Sequence, residues 1–178
     1  MTATEDLRFP PGLAEAMALP FDYRLGEGVD FEPYEEFLTA EDTTEWFRRW
    51  VGNPELAEDE FRLRLFGRNR GGGRVGFWLT RPDQPLVDQP VVVLGSEGEA
   101  VVVARSLGDF LWLLAGGFGP WEAATGPHGD WVPQPDEAFA SLARRYAADH
   151  EQTPTAVIEQ AALEFPDLDE TIMEFWAE

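Results

Sequence analysis

Two glutamates that could work as a pair, Glu97 and Glu99, stand in the polar turn Gly-Ser-Glu-Gly-Glu of residues 95–99. Paired carboxyl groups perform general acid–base chemistry when a cleft splits their pKa values. This turn lies between two valine-rich runs, so we interpret it as an exposed hairpin tip with ordinary turn chemistry. The alternative is contact with a partner, because binding residues collect at loop tips.

The chain has two histidines, and one of them has a carboxylate close by in sequence. His128 and Asp130, in Gly-Pro-His-Gly-Asp-Trp, could act as a general base and the group that orients it. No serine stands in a Gly-x-Ser-x-Gly elbow to use that base. His150 lies near the predicted end of a helix, where a cation complements the helix dipole. We interpret both histidines as surface residues and predict no catalytic residue, no metal ligand and no cofactor.

A third candidate is the triglycine at residues 71–73, which Arg70 and Arg74 flank. Its backbone could cradle an anion, but it lacks the Gly-Lys-Ser/Thr of a phosphate-binding loop, and no clear helix follows it. Residues 61–81 hold six arginines and no acid, a pattern that could contact phosphates. We favour pairing with the protein's own acids, and whether the segment 62–74 is masked or binds an anion stays open.

The charge balance narrows the range of partners. The 178 residues include 34 acids and 13 basic residues, all of them arginine, which gives a net charge of −21 and a pI near 4.2. A field of this sign repels nucleic acids and anionic membranes, and it attracts basic proteins and cations. Solubility alone is the alternative explanation.

The chain contains no cysteine, which excludes disulfides, thiolate catalysis and cysteine-based metal sites. Its first residues are acidic and lack the apolar core of a signal peptide. No apolar run approaches the roughly 18 residues of a membrane span. We therefore expect a cytoplasmic protein with one folded domain.

Four strands are predicted in the middle of the chain. Residues 91–94 and 101–103 are continuous apolar runs, typical of strands covered on both faces. Residues 61–65 alternate apolar and basic side chains, and residues 75–80 form the other strand of that hairpin. The fold class is therefore α+β, with a mainly antiparallel sheet of four or more strands. Alternation places Trp78 on the opposite side from its neighbours.

A helix over residues 107–115 is predicted to pack this sheet. Ser106 is its N-cap, and Asp109 is the acidic partner in a capping box. Its apolar residues recur at helical spacing. The helix ends at Gly116-Gly117, and Pro120 prevents its resumption.

Helices are also predicted at both ends of the chain. We expect residues 1–12 to be poorly ordered, residues 13–19 to form helical turns, and Thr39 to cap a helix that reaches Val51. Residues 13–121 form the α+β domain, and residues 122–178 form an acidic helical extension packed on it. The extension holds predicted helices at 136–150, 153–165 and 167 to the end, the last one with Leu168, Ile172, Phe175 and Trp176 as its apolar residues.

Two stretches resemble motifs of one known family. Residues 19–23, Leu-Pro-Phe-Asp-Tyr, resemble the Leu-Pro-x-x-Tyr that follows the first helix of SUKH-superfamily proteins, and residues 103–111 resemble that family's terminal strand and helix start. The superfamily contains Smi/Knr-type regulators and bacterial immunity proteins. The resemblance covers about residues 13–120. It implies a compact α+β domain that binds proteins, commonly toxins that include basic nucleases, and it carries over no catalytic residue.

Charge and resemblance together predict a non-enzymatic protein-binding domain of the immunity type, with a basic toxin as its expected class of partner. We expect no contact with nucleic acid or membrane. The alternatives are an enzyme centred on His128 and Asp130, and a regulatory scaffold. The nominated contact residues are acidic or aromatic and are Trp78, Glu97, Glu99, Glu58, Asp59 and Glu60.

Overall fold

The computed structural model describes residues 6–21, 23–24, 27–58, 60–126 and 130–177. Within them the chain has an α+β fold, with strands in the middle and helices at both ends. The helices are α1 (Pro11–Met17), α2 (Ala40–Val51), α3 (Leu107–Ala115), α4 (Pro120–Thr125), α5 (Glu137–Ala147), α6 (Pro154–Glu164) and α7 (Leu168–Met173), with 3-10 turns at Leu86–Asp88 and Ala148–His150. The strands are β1 (Tyr23–Arg24), β2 (Glu27–Gly28), β3 (Glu32–Pro33), β4 (Leu63–Arg68), β5 (Arg74–Trp78), β6 (Val91–Leu94) and β7 (Ala100–Ala104).

The main sheet has five strands in the order β3-β4-β5-β6-β7, and all neighbours are antiparallel. The two predicted hairpins are β4–β5 and β6–β7, so the prediction of an antiparallel sheet is confirmed. The two-residue strands β1, β2 and β3 were not predicted, because so short a segment shows no periodicity. They pair as a separate β1–β2 ribbon and as an edge strand on β4.

Both faces of the sheet are covered, as the continuous valine runs predicted. Successive residues of a strand point to opposite faces. Val91 and Val93 belong to one apolar cluster, which α1, α3 and α5 complete, while Val92 and Leu94 belong to a second. The second cluster is closed by α2 and by residues of the C-terminal helices, namely Ala161, Leu168 and Ile172. The acidic extension therefore supplies part of the core.

Helix α3 lies against the first face with the predicted bounds. Ser106 Oγ accepts a hydrogen bond from the Asp109 backbone N–H at 3.2 Å, which confirms the N-cap. Leu111 is 1% exposed and so lies in the core. Gly117 has a φ of +87° and donates its N–H to Leu114 O at 3.0 Å, which ends the helix as predicted.

One prediction about this region was wrong. Pro120 does not prevent a further helix but begins α4, with Gly119 at the N-cap position. A proline disrupts a helix that runs into it, yet it fits the first helical position, where its missing N–H is not needed.

The N-terminal helix starts earlier than the predicted residues 13–19, because Pro11 occupies the first turn of α1. Of the expected poorly ordered segment 1–12, residues 1–5 lie outside the described residues. Residues 6–12 contact the domain: the Phe9 ring meets Phe37 edge-on at 4.8 Å, and the Phe37 N–H bonds Leu7 O at 2.9 Å. No helix in the described ranges has the length and apolarity needed to cross a membrane.

Candidate functional site

The nominated contact residues lie at two different ends of the sheet. Trp78 ends β5, where its N–H donates to Pro90 O at 2.9 Å. Glu97 and Glu99 follow Leu94, which pairs with the opposite end of β5. With a rise of about 3.3 Å per strand residue, the two groups are separated by more than about 10 Å. They cannot form one small contact patch.

Trp78 is half-buried in an aromatic cluster. Its ring stacks on Phe61 with centroids 5.7 Å apart and lies 6.0 Å from Phe165. Alternation correctly placed it opposite Phe77, but that second face is itself covered. Trp78 therefore offers a partner much less surface than an exposed tryptophan would.

The acidic run beside this cluster is a turn at the surface. Glu58 and Glu60 are exposed, and Asp59 lies outside the described residues. The Glu60 carboxylate accepts the N–H of Ala57 at 3.0 Å. Glu60 thus stabilises its own turn, as an acidic side chain commonly does in a loop.

At the other end, the β6–β7 tip and α7 enclose a groove of about 560 Å³, which we call the tip groove. Its apolar side includes two exposed residues, Met173 at 66% and Trp176 at 49%. The lining residues are Glu97, Gly98, Glu99, Ala100, Val101, Asp169, Ile172, Met173 and Trp176. Acidic and aromatic surface therefore meet at a single place.

The tip side of the groove is shaped by its own turn. Gly95 N–H donates to Glu99 O at 2.7 Å, and Glu97 N–H donates to the Glu99 carboxylate at 3.1 Å. Gly98 has a φ of +96°, and a side chain there would meet the Trp176 ring at 3.9 Å. Glu99 is thus held by the turn, whereas Glu97 is exposed.

Contacts of Phe175 with the core position the helix side of the groove. Phe175 packs edge-on against Phe61 at 5.4 Å, and its carbonyl accepts a hydrogen bond from Asn53 Nδ2 at 3.0 Å. The next residue, Trp176, is half-exposed beside Gly98. Because Phe175 is anchored by these contacts, the backbone that carries Trp176 is positioned beside the groove.

The protein's arginines are largely engaged within the chain. In the segment 62–74, Arg68 pairs with Glu32 at 3.1 Å, while Arg64 and Arg74 lie over the Phe37 and Trp46 rings. Arg62 and Arg70 have intramolecular contacts as well. Six salt bridges between arginine and acid occur in the described residues: Arg8–Asp6, Arg68–Glu32, Arg81–Glu164, Arg105–Asp109, Arg144–Glu137 and Arg145–Glu15. Within the segment, Arg68 therefore pairs with an acid as we favoured, whereas Arg64 and Arg74 are held by aromatic rings and backbone carbonyls.

The triglycine forms the β4–β5 turn and makes no open anion cradle. Gly73 N–H donates to Asn69 Oδ1 at 2.7 Å, and Gly72 N–H donates to Asn69 O at 3.2 Å. Two of the amides that an anion would need are therefore already bonded.

The structure corrects the interpretation of Asp109 and shows that His150 contacts it. The Asp109 carboxylate is 1% exposed, and instead of closing a capping box it accepts from Arg105 Nε at 3.1 Å and Gln152 Nε2 at 2.8 Å. His150 Nδ1 lies 2.8 Å from the same carboxylate, while its side chain is 45% exposed at the end of the 3-10 turn, so the prediction of a surface residue near a helix end is confirmed. A buried carboxylate needs several donors, and this network supplies them. It also ties the α5–α6 link to α3.

A cavity of about 320 Å³ adjoins this network, lined in part by His150, Ser106 and Asp88. A carboxylate on Nδ1 orients a histidine so that Nε2 can accept a proton or bind a ligand. His128, the predicted base, lies outside the described residues, and Asp130 is exposed. Within the described part of the chain, no group of three or more potential ligands is placed to hold a metal ion.

Glu122 is a buried acid that the sequence did not single out. Its Oε1 accepts the N–H of Asp30 at 3.2 Å. Burial raises the pKa of Glu122 from 4.5 to about 7, and the Asp30 charge adds to the rise. Glu122 lines none of the cavities described above, so we treat it as a stability determinant and not as part of a site.

Comparison with known proteins found no matching family model, no matching curated protein and no matching solved structure. The functional proposal therefore rests on the chain's own sequence motifs, geometry and charge.

Proposed function

We propose that this chain is a non-catalytic protein-binding domain of the immunity type, which captures a basic protein through its acidic surface. The observation that carries the proposal is the tip groove, which Asp169 of α7 lines together with Glu97 and Glu99 of the β6–β7 tip. Exposed aromatic residues and methionine are enriched in protein–protein interfaces, and acidic groups beside them supply electrostatic complementarity to a basic partner.

The charge distribution supports this proposal. Residues 146–178 hold nine acids and no arginine. Six of the arginines elsewhere form salt bridges with acids in the described residues. Because the chain holds 34 acids and 13 basic residues, carboxylates dominate its surface charge. Such a surface accelerates encounter with a basic partner and could cover the groove in which a nuclease binds nucleic acid.

The resemblance to the SUKH superfamily is part of the same proposal. The residues that carry it are the Leu-Pro-x-x-Tyr segment after α1 and the junction of β7 and α3. In the structure that junction runs through Ser106, the N-cap of α3. The α+β fold agrees with what the resemblance implies.

The direct test measures binding to a panel of basic nuclease domains, with acidic proteins of similar size as controls. We expect basic members to bind, with affinity that falls as salt rises, because exposed charges are screened over about 10 Å at 0.1 M ionic strength. Co-expression should then protect cells from the toxic members that bind. Absence of binding to every basic protein, or equal binding of acidic ones, contradicts the proposal.

A second candidate function is an enzyme, and the observation that favours it is the Asp109–His150 pair beside its cavity. Nε2 of His150 would act as the general base, with Asp109 as its orienting carboxylate. The test is hydrolysis of a panel of nitrophenyl esters and phosphates by the protein and by His150→Gln. Turnover that the substitution abolishes supports this candidate, and turnover equal in both proteins removes it.

A further inference from the structure

We infer that the tip groove is a receptor for an arginine or lysine side chain, presented by the partner beside an apolar residue. The cation would lie against the Trp176 ring, between the carboxylates of Glu97 and Asp169. The apolar neighbour would cover Met173. This inference rests on the proposed function and names the chemistry of its partner.

The apolar side of the groove offers exposed contact surface to a partner. Met173 and Trp176 are 66% and 49% exposed, although a soluble surface normally disperses its large apolar side chains. An indole face attracts guanidinium and ammonium groups, and a flexible methionine adapts to varied apolar contacts. Trp176 thus suits the charged group of a basic side chain, and Met173 suits the apolar residue next to it.

The charged side of the groove favours a positively charged occupant. Glu97, Glu99 and Asp169 line it, and no arginine is among the described lining residues. The carboxylate of Glu99 already accepts the Glu97 N–H, which leaves the exposed Glu97 and Asp169 as the two acids open to a partner. An acidic or neutral occupant would leave these charges unpaired, so a cation is the complementary choice.

The probe is a capped Ala-Arg-Leu-Arg-Ala peptide, and its matched control is the same peptide with citrulline, which is neutral, in place of arginine. Binding is followed by two-dimensional NMR of the full chain, with the Trp176 indole signal assigned from Trp176→Phe. We expect the arginine peptide to shift the Trp176 indole and the Gly98 amide saturably, and the citrulline peptide to leave both unchanged.

Two double variants distinguish the contribution of the groove to binding from the contribution of overall charge. Glu97→Gln with Asp169→Asn removes two charges at the groove, and we expect about tenfold weaker binding or more. Glu35→Gln with Glu36→Gln removes two exposed charges next to β3, at the opposite edge of the sheet, and should change affinity by less than about twofold. Urea unfolding of each variant verifies that it is folded.

The outcomes divide clearly. Three results would overturn the groove assignment. Both double variants could weaken binding equally, the citrulline peptide could bind as well as the arginine peptide, or the NMR shifts could be confined to residues other than Trp176 and Gly98. If basic nucleases still bind in those cases, the proposed function stands and only this inference fails. If neither the arginine peptide nor any basic nuclease binds, both fail together.

Discussion

Replacing Glu122 by glutamine should stabilise the protein increasingly as pH rises. Burial raises the pKa of this carboxyl from 4.5 to about 7, so it is ionised in the unfolded chain at a pH where it is still protonated in the folded one. Between these values the folded state binds more protons, and the free energy of unfolding therefore falls as pH increases. Above the higher of these two pKa values, Glu122 is ionised in both states and lowers the free energy of unfolding by its full amount.

The size of the effect follows from the two pKa values. Each pKa unit corresponds to about 1.4 kcal/mol, so an ionised Glu122 lowers the free energy of unfolding by about 3 kcal/mol. Glutamine carries no charge and can keep the hydrogen bond from the Asp30 N–H. Near pH 5, just above the pI, the variant should gain less than about 1 kcal/mol, and near pH 8.5 it should gain about 3 kcal/mol.

The assay is urea unfolding followed by tryptophan fluorescence at both pH values, since urea is uncharged and does not screen electrostatics. Glu159→Gln is the matched control, because it removes one exposed charge from α6 and should show a small gain that hardly changes with pH. If Glu122→Gln and the wild-type protein differ by the same free energy at both pH values, the argument from burial is refuted.

Three further substitutions test the structure. Leu111→Ala should lower the free energy of unfolding by about 2–5 kcal/mol in urea, and an unchanged midpoint would remove Leu111 from the core. Gly117→Ala should cost more than about 1 kcal/mol, because the new Cβ would lie 2.5 Å from backbone atoms and φ is +87°; a melting temperature equal to wild type contradicts this. Asp109→Ala should cost about 1–3 kcal/mol, because it removes the buried acceptor that Arg105, His150 and Gln152 share; an unchanged melting temperature would contradict this.

Local signals explain what could be predicted from sequence. The caps at Thr39 and Ser106 act within three residues, and the structure shows both, with Thr39 Oγ1 accepting the Asp42 N–H at 3.0 Å. The valine runs of the β6–β7 hairpin also encode their environment directly, since a strand covered on both faces has no polar side. Such features need no knowledge of distant residues.

The parts that could not be predicted depend on contacts between distant segments. Asp109 meets His150 across 41 residues, and no local pattern distinguishes a buried acid with three donors from an ordinary capping acid. Helical spacing predicts Trp176, four positions after Ile172, to be one of the apolar residues of the last helix. Because α7 ends at Met173, the helical spacing no longer applies, and Trp176 is half-exposed at the tip.

The C-terminal extension cannot be dismissed as a solubility tail, because it both closes the core and forms one wall of the groove. Ile172 belongs to the second apolar cluster, and Met173, the next residue, lines the tip groove. Deleting α6 and α7 would uncover Val92 and Leu94, so the loss of partner binding by a truncated chain would report unfolding as readily as a lost contact. Only substitutions at exposed positions such as Glu97, Asp169 and Trp176 can separate recognition from folding.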